Sequence, residues 1–224
     1  MNLIARLSAA ALFCFSATPS NATLSMWQAE VGTGAAPAAT LFTTVPGGAP
    51  ILFNVGNLTG DRSFEFIVNS PSGGISQALI GSQDPSVGRQ GLKFDQCCNT
   101  GLYGMTNFGV IDYNSTQATD FGRDVQIVFT SDGATTNLYT DGIFRFNFPT
   151  GLIITGTHGL GAGDNFGVFF DVMAGDIKGF ASYDTALTAA EVLQHNNAFT
   201  AVPEPAGALL SGLAALGLFM RRRR

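Results

Sequence analysis

The chain is 224 residues long and carries 11 Lys and Arg against 16 Asp and Glu, a formal net charge of −5. Five of the basic residues stand at the two ends, Arg6 and Arg221 to Arg224, so the stretch between them is far more acidic than the total suggests. Such a balance makes nucleic acid a poor partner and favours cations or neutral sugars.

The first segment reads Met1 to Arg6, then a short apolar run from Leu7 to Phe15, then small residues up to Ala22. A basic start, an apolar run too short to span a bilayer and a small-x-small site at Ser20-Asn21-Ala22 predict a signal peptide over 1–22, cut after Ala22. Cys14 lacks the small neighbour expected beside a lipidated cysteine. The central domain is placed at 23–200, long enough for one substantial core.

From Ile51 onward, short alternating runs are punctuated by Gly, Asp and Asn. Ser63 to Val68 puts Phe64, Phe66 and Val68 on one face, and Asp124 to Thr130 does the same with Val125, Ile127 and Phe129. Ile143 to Phe148 sets Phe144, Phe146 and Phe148 opposite Arg145 and Asn147, and Phe166 to Val172 reads as a further, largely apolar strand. Asp132-Gly133 and Asp141-Gly142 predict hairpin turns, since Gly accepts positive φ. The period of two predicts an all-β fold, an antiparallel two-sheet jelly-roll sandwich. One short C-terminal helix is expected, started by the capping box Thr188-Ala-Ala-Glu191.

Two segments carry a resemblance. Gly175 to Glu191, with Ile177, Phe180, Tyr183, Ala186, Leu187 and Thr188 in place, resembles the closing strand, turn and helix start of laminin-G-like, concanavalin-A-like jelly rolls. Lys178, Gly179 and Ser182 depart from that pattern. Asp132 to Gly142 resembles the same family's D-G…L-Y-x-D-G hairpin. The resemblance spans about Leu41 to Phe199. It implies a module that binds carbohydrate or protein, sometimes through Ca²⁺.

Glucanases share this fold, so catalysis is tested against residue spacing. A retaining pair needs two carboxylates about 5 Å apart, at i and i+4 on one strand face. Glu65 has no second acid on its strand, and Asp171 and Asp176 are five apart. His158 reads as a loop residue and His195 as a surface residue of the terminal helix, neither with a local partner. No G-x-S-x-G elbow occurs. The chain is therefore read as a non-enzyme, with no catalytic residues.

The most unusual segment runs from Gly91 to Gly101 and is followed by Phe108 to Asn114. Asp95, Asp112 and Asn114 are candidate Ca²⁺ ligands, being hard oxygen donors. Gln96, Asn99, Tyr103 and Tyr113 are candidate ligand-binding residues, the tyrosines as stacking platforms for sugar rings. The competing account is that the polar residues close turns and the tyrosines pack, because no EF-hand spacing is present. Cys97 and Cys98 are adjacent and can close only an eight-membered ring. The pair reads first as a structural feature of a loop, with a vicinal disulfide stiffening a binding loop and a metal site as alternatives.

The last segment, 201–224, opens with Val202-Pro203-Glu204-Pro205. An apolar stretch follows over 206–220, and then four arginines over 221–224. Fifteen apolar residues at helical rise cover roughly 22 Å, enough to insert with thinning or arginine snorkelling. The arginines stay cytoplasmic by the positive-inside rule, which puts the domain outside and agrees with the signal peptide. Motif, apolar span and basic end in this order resemble the PEP-CTERM sorting tail, with Pro203, Glu204 and Pro205 as the sorting motif. That resemblance implies export machinery and an exosortase-type membrane protease as partners, and delivery to the cell surface or exopolysaccharide matrix. The sequence thus points to an exported, transiently anchored, non-catalytic module that binds glycan or another matrix component. A divergent polysaccharide hydrolase or lyase and a passive matrix protein are the rivals.

Overall fold

The computed structural model describes residues 24, 26–34, 39, 41–57, 60–71, 76–98 and 100–201. The expected signal peptide with its cut at Ala22, the sorting tail with Pro203, Glu204 and Pro205, and Asn99 lie outside the described residues. Among the described residues no helix is long and apolar enough to cross a membrane.

Two sheets face each other. The first has six strands in the order β1 (Leu41–Val45), β14 (Asp176–Tyr183), β3 (Arg62–Asn69), β8 (Asp124–Ser131), β9 (Thr136–Thr140) and β10 (Ile143–Phe148). The second runs β13 (Val168–Phe170), β12 (Gly163–Asn165), β4 (Gln77–Ser82), β5 (Gln90–Asp95), β6 (Leu102–Asn107) and β7 (Ile111–Ala118). β11 (Thr157–Leu160) joins β4 to β2 (Ile51–Asn54) off that path. The pairings are antiparallel apart from β12 with β4. This is the two-sheet sandwich that the period of two predicts.

The alternation explains the main core. Phe64, Phe66 and Val68 of β3 and Val125, Ile127 and Phe129 of β8 point between the sheets, where they meet Leu92, Phe94, Tyr103 and Met105 of the second sheet. The Asp141-Gly142 turn is a two-residue hairpin with φ of 50° and 75°, the geometry that matches strand twist. The register slips between Phe144 and Phe146, so Phe144 is turned out to 53 % exposure instead of sharing the buried face with Phe148. The strand expected over Phe166 to Val172 shortens to Val168–Phe170, because Phe166 and Gly167 adopt positive φ and form the turn that follows β12.

A second apolar layer covers the outer face of the six-stranded sheet. Helix α1 (Ala189–Thr200) starts at the expected capping box: Thr188 Oγ1 accepts from Glu191 N at 3.3 Å and Thr188 N donates to Glu191 Oε2 at 2.7 Å. Its Val192 and Phe199 pack with Trp27, Ile67, Val128 and Tyr183. The Trp27 ring lies on Gly179, where a Cβ would come within 2.3 Å of it. Glycine at that departure from the family pattern therefore makes room for the tryptophan.

Inside this layer Glu65 is fully buried. Its Oε1 accepts from Trp27 Nε1 and Gln126 Nε2, each at 2.7 Å. Its Oε2 accepts from Tyr183 Oη and His195 Nδ1, each at 2.8 Å. Burial, and then the Glu65 charge, push the Tyr183 phenol well above its ordinary pKa, so it keeps the proton it donates. Gln126 Oε1 in turn accepts from Gly142 N at 2.9 Å, which ties the hub to the β9–β10 turn. His195 is thus an interior residue and not a surface one. His158 is also interior: it sits on β11 rather than in a loop, with no exposed surface, and burial lowers its pKa to about 4.

Candidate functional site

The outer face of the second sheet has a different character. One register row crosses six strands: Phe170, Gly163, Gly81, Gly91, Thr106 and Asp112. Paired residues share a face, and in β5 the core takes Leu92 and Phe94, so this row points outward with Lys93 two residues on. Three glycines in a row leave a floor without side chains. Two phenyl rings lie on it. A Cβ at Gly91 would come within 2.8 Å of the Phe108 ring, and one at Gly163 within 2.3 Å of the Phe170 ring. The rings meet edge to face with centroids 5.1 Å apart.

Beside them is a buried cation. Lys93 has 1 % of its side chain exposed, yet its ammonium bonds Asp171 and donates to Ser76 Oγ at 2.8 Å. It also stands 5.7 Å from the centre of the Phe108 ring. Pairing with a carboxylate offsets the desolvation of a buried ammonium. Asp171 holds this place with φ of 50°, and its carbonyl accepts from Ala78 N at 2.7 Å.

These groups line a hollow of about 270 Å³ with Gln83, Thr106, Cys97 and Asp112. An adjoining hollow of about 300 Å³ shares Gly109 and Asp112 and runs along the β6–β7 turn, where Val110 is 75 % exposed. The size and the mix of aromatic and polar walls suit a small ligand. Another hollow of about 300 Å³ lies by β1 and β14. Its charged side chains are already engaged: Asp176 accepts from Gly47 N at 2.7 Å and Lys178 pairs with Asp124 at 2.6 Å.

Of the residues singled out in the sequence, Asp112 stands at the hollow and Cys97 lines it. Asp95 does not serve as a ligand: it is fully buried and accepts from Gly101 N at 3.0 Å, closing its own loop. Gln96 is spent the same way, donating to the carbonyls of Met105 and Tyr113 at 2.7 and 3.2 Å and accepting from Cys97 N. Tyr103 is a core residue whose hydroxyl meets Asp120 at 3.2 Å, so it offers no stacking face, and Tyr113 packs partly buried against the same core. Asn114 is exposed on β7. Of the three candidate Ca²⁺ ligands, Asp95 is thus buried in its own loop while Asp112 and Asn114 stand exposed on β7. Among the described residues no three His, Cys, Asp or Glu side chains gather where a metal could bind. The bonds of Asp95 and Gln96 are those that close a turn.

Lys93 and Phe108 lie in the segments singled out above, but their meeting with Asp171 and Phe170 was not signalled by sequence spacing, because Lys93 and Asp171 are 78 residues apart. The signal that was available was glycine inside strands, at Gly81 and Gly91, which marks a close approach of another group.

No family model matches the chain, and no curated protein is similar to it. Solved structures are similar in fold. The carbohydrate-binding module CBM40 of a Ruminococcus gnavus IT-sialidase, bound to α2,3-sialyllactose, aligns with a TM-score of 0.54 at 14 % identity, over 70 % of this chain and 98 % of that one. The NanB sialidase of Streptococcus pneumoniae aligns at 0.53 and 15 %, over 69 % of this chain and 28 % of that one. Domain 4 of AbnA, an extracellular arabinanase from Geobacillus stearothermophilus bound to arabinotriose, aligns at 0.51 and 14 %, over 71 % and 90 %. At these identities the likeness establishes a shared all-β jelly-roll sandwich.

Proposed function

We propose that the chain is an exported, non-catalytic glycan-binding module, and that the hollow on the outer face of the second sheet is its binding site. The observation that carries the reading is the glycine-floored row topped by Phe108 and Phe170 and flanked by Lys93, Asp171 and Asp112. Aromatic surface beside a few fixed polar groups is what a sugar ring needs: an apolar C–H face packs on the half-buried Phe170 ring, which the buried Phe108 ring backs, and hydroxyls bond the carboxylate of Asp112. The carbohydrate ligands of the similar solved modules support this. Lys93 is neutralised by Asp171, so Asp112 is the free charged wall, an acceptor suited to sugar hydroxyls. The basic start, the apolar run to Phe15 and the Pro203-Glu204-Pro205 tail support export, exosortase-type sorting and residence at the cell surface or in its polysaccharide matrix.

The test is a glycan array holding neutral and sialylated oligosaccharides, probed with the full-length chain and with Asp112→Ala, with calcium and with chelator. The proposal expects binding that chelator leaves unchanged and that Asp112→Ala weakens at least about tenfold, the worth of one charge-assisted hydrogen bond. Binding to no glycan overturns it. A hydrolytic reading has one observation in its favour, namely that Asp112 and Asp171 line the same hollow. It predicts new reducing ends on incubation with the bound glycan, lost in Asp112→Asn. An unchanged glycan after long incubation rejects it.

A further inference from the structure

The two adjacent cysteines have a role that the binding reading leaves open. Cys97 and Cys98 both have exposed thiols, and their sulfurs stand 2.8 Å apart. The backbone is already bent for this: Cys98 has φ of 69°, in the left-handed region that a non-glycine residue seldom occupies. Three hydrogen bonds fix the loop from within. Gln96 Oε1 accepts from Cys97 N at 2.8 Å, Gln96 N donates to Leu102 O at 2.9 Å, and Asp95 Oδ1 accepts from Gly101 N at 3.0 Å. The sulfurs are thus held together by buried polar groups on both sides of the turn. Cys97 is also part of the wall of the hollow, with Lys93, Asp112 and Asp171.

We propose that Cys97 and Cys98 are a reversible oxidation site, closing to a vicinal disulfide that resets the wall of the ligand hollow. The oxidant is a small-molecule disulfide, of the kind an exported chain meets. One cysteine thiolate attacks a sulfur of the oxidant and forms a mixed disulfide, releasing one thiol. The second cysteine then loses its proton and attacks the first cysteine's sulfur, and the second thiol departs. The pair loses two hydrogens and the oxidant gains them. Consecutive Cα atoms are about 3.8 Å apart, closer than the roughly 4.4–6.8 Å of ordinary disulfides, so the ring is strained and easily reduced. A bond of that kind suits a switch more than a staple. Closing it removes the Cys97 S–H and leaves an apolar sulfur pair beside Asp112. Raised thiol acidity thresholds fit the reduced state as well, since the Cys98 contact, burial and the charges of Asp112 and Asp171 push Cys97 up to about 11.

The effect on binding rests on the hollow being the ligand site, but the oxidation does not, and the experiment separates them. The full-length chain is equilibrated with oxidised or reduced glutathione, then analysed by intact mass, peptide mapping and amide NMR. The expected result is a loss of about 2 Da confined to the Cys97–Cys98 peptide, reversed by reductant. Amide shifts should accompany it at Lys93, Thr106 and Asp112. A glycan bound by the wild type should change affinity at least about fivefold between the two states, with Cys97→Ser and Cys98→Ser each indifferent to redox. Stable mixed disulfides or intermolecular dimers in place of the internal ring overturn the oxidation site. A ring that forms without shifts at Lys93, Thr106 or Asp112 overturns its coupling to the hollow, whether or not a glycan has been found.

Discussion

Glu65 is the residue whose removal should cost the fold most. The side chain is fully buried and accepts four hydrogen bonds, from Trp27, Gln126, Tyr183 and His195. Glu65→Ala takes the carboxylate acceptor from four buried groups, of which Gln126 keeps its bond to Val192 O at 3.3 Å, and each lost bond costs about 1–3 kcal/mol before the site relaxes. Removing one partner of a buried charged network typically costs about 3–5 kcal/mol, and relaxation argues for that range over the simple sum. A domain of this size loses roughly 2–4 °C of melting temperature per kcal/mol, so a fall of about 6–20 °C is expected. Glu65→Gln keeps the shape but turns an amide N–H₂ toward two of the donors, and should fall between wild type and Glu65→Ala. Thermal and urea denaturation followed by circular dichroism measure both. A loss under about 1 kcal/mol for Glu65→Ala would show that the hub is not what fastens α1 and the Trp27 segment to the sheet.

Three further outcomes follow from single groups. Thr188→Ala removes the acceptor for Glu191 N and should cost about 1 kcal/mol, read as a small drop in melting temperature. His158 has its pKa lowered by burial to about 4, so protonation favours the unfolded chain, whose histidine titrates near 6.5. Its contribution is intact above pH 6.5 and is lost as pH falls from 6.5 toward 4, by about 3 kcal/mol in all. His158→Phe should flatten that part of a stability–pH profile, and an unchanged slope would contradict the assignment. In the reduced chain Cys97 stays protonated at pH 8, so its alkylation rate should climb about tenfold per pH unit until about pH 11. Peptide-resolved mass spectrometry of iodoacetamide-treated chain reads this directly.

The strands were legible where period two set large apolar residues on one face, as in β3 and β8, although both faces of these strands are buried. The capping box at Thr188 placed α1 because its two hydrogen bonds are local in sequence. What the pattern hid was long-range. Glu65 alternates with phenylalanines and has no second acid on its strand, yet its neighbours on that face, Ile67 and across the pairing Val128, are apolar. An apolar outer face signals a second covering layer, and that covering buries Glu65 and His195. Phe144 escaped because a register slip reverses the face of everything before it. The hollow was half visible. Asp112 and Cys97 lie in the stretch that stood out by composition, but Asp171 reaches Lys93 from a different part of the chain. Tyr103 and Asp95 misled because a tyrosine and an aspartate serve a core and a turn as readily as a ligand.

The most direct test of the account is amide chemical-shift mapping of the isotopically labelled chain titrated with the oligosaccharide that it binds tightest on the array. The account predicts shifts concentrated along the row Gly91, Thr106, Asp112 and Phe170 and at Lys93, with the outer face of the six-stranded sheet unmoved. Shifts centred instead on β1 and β14, or on α1, would contradict it.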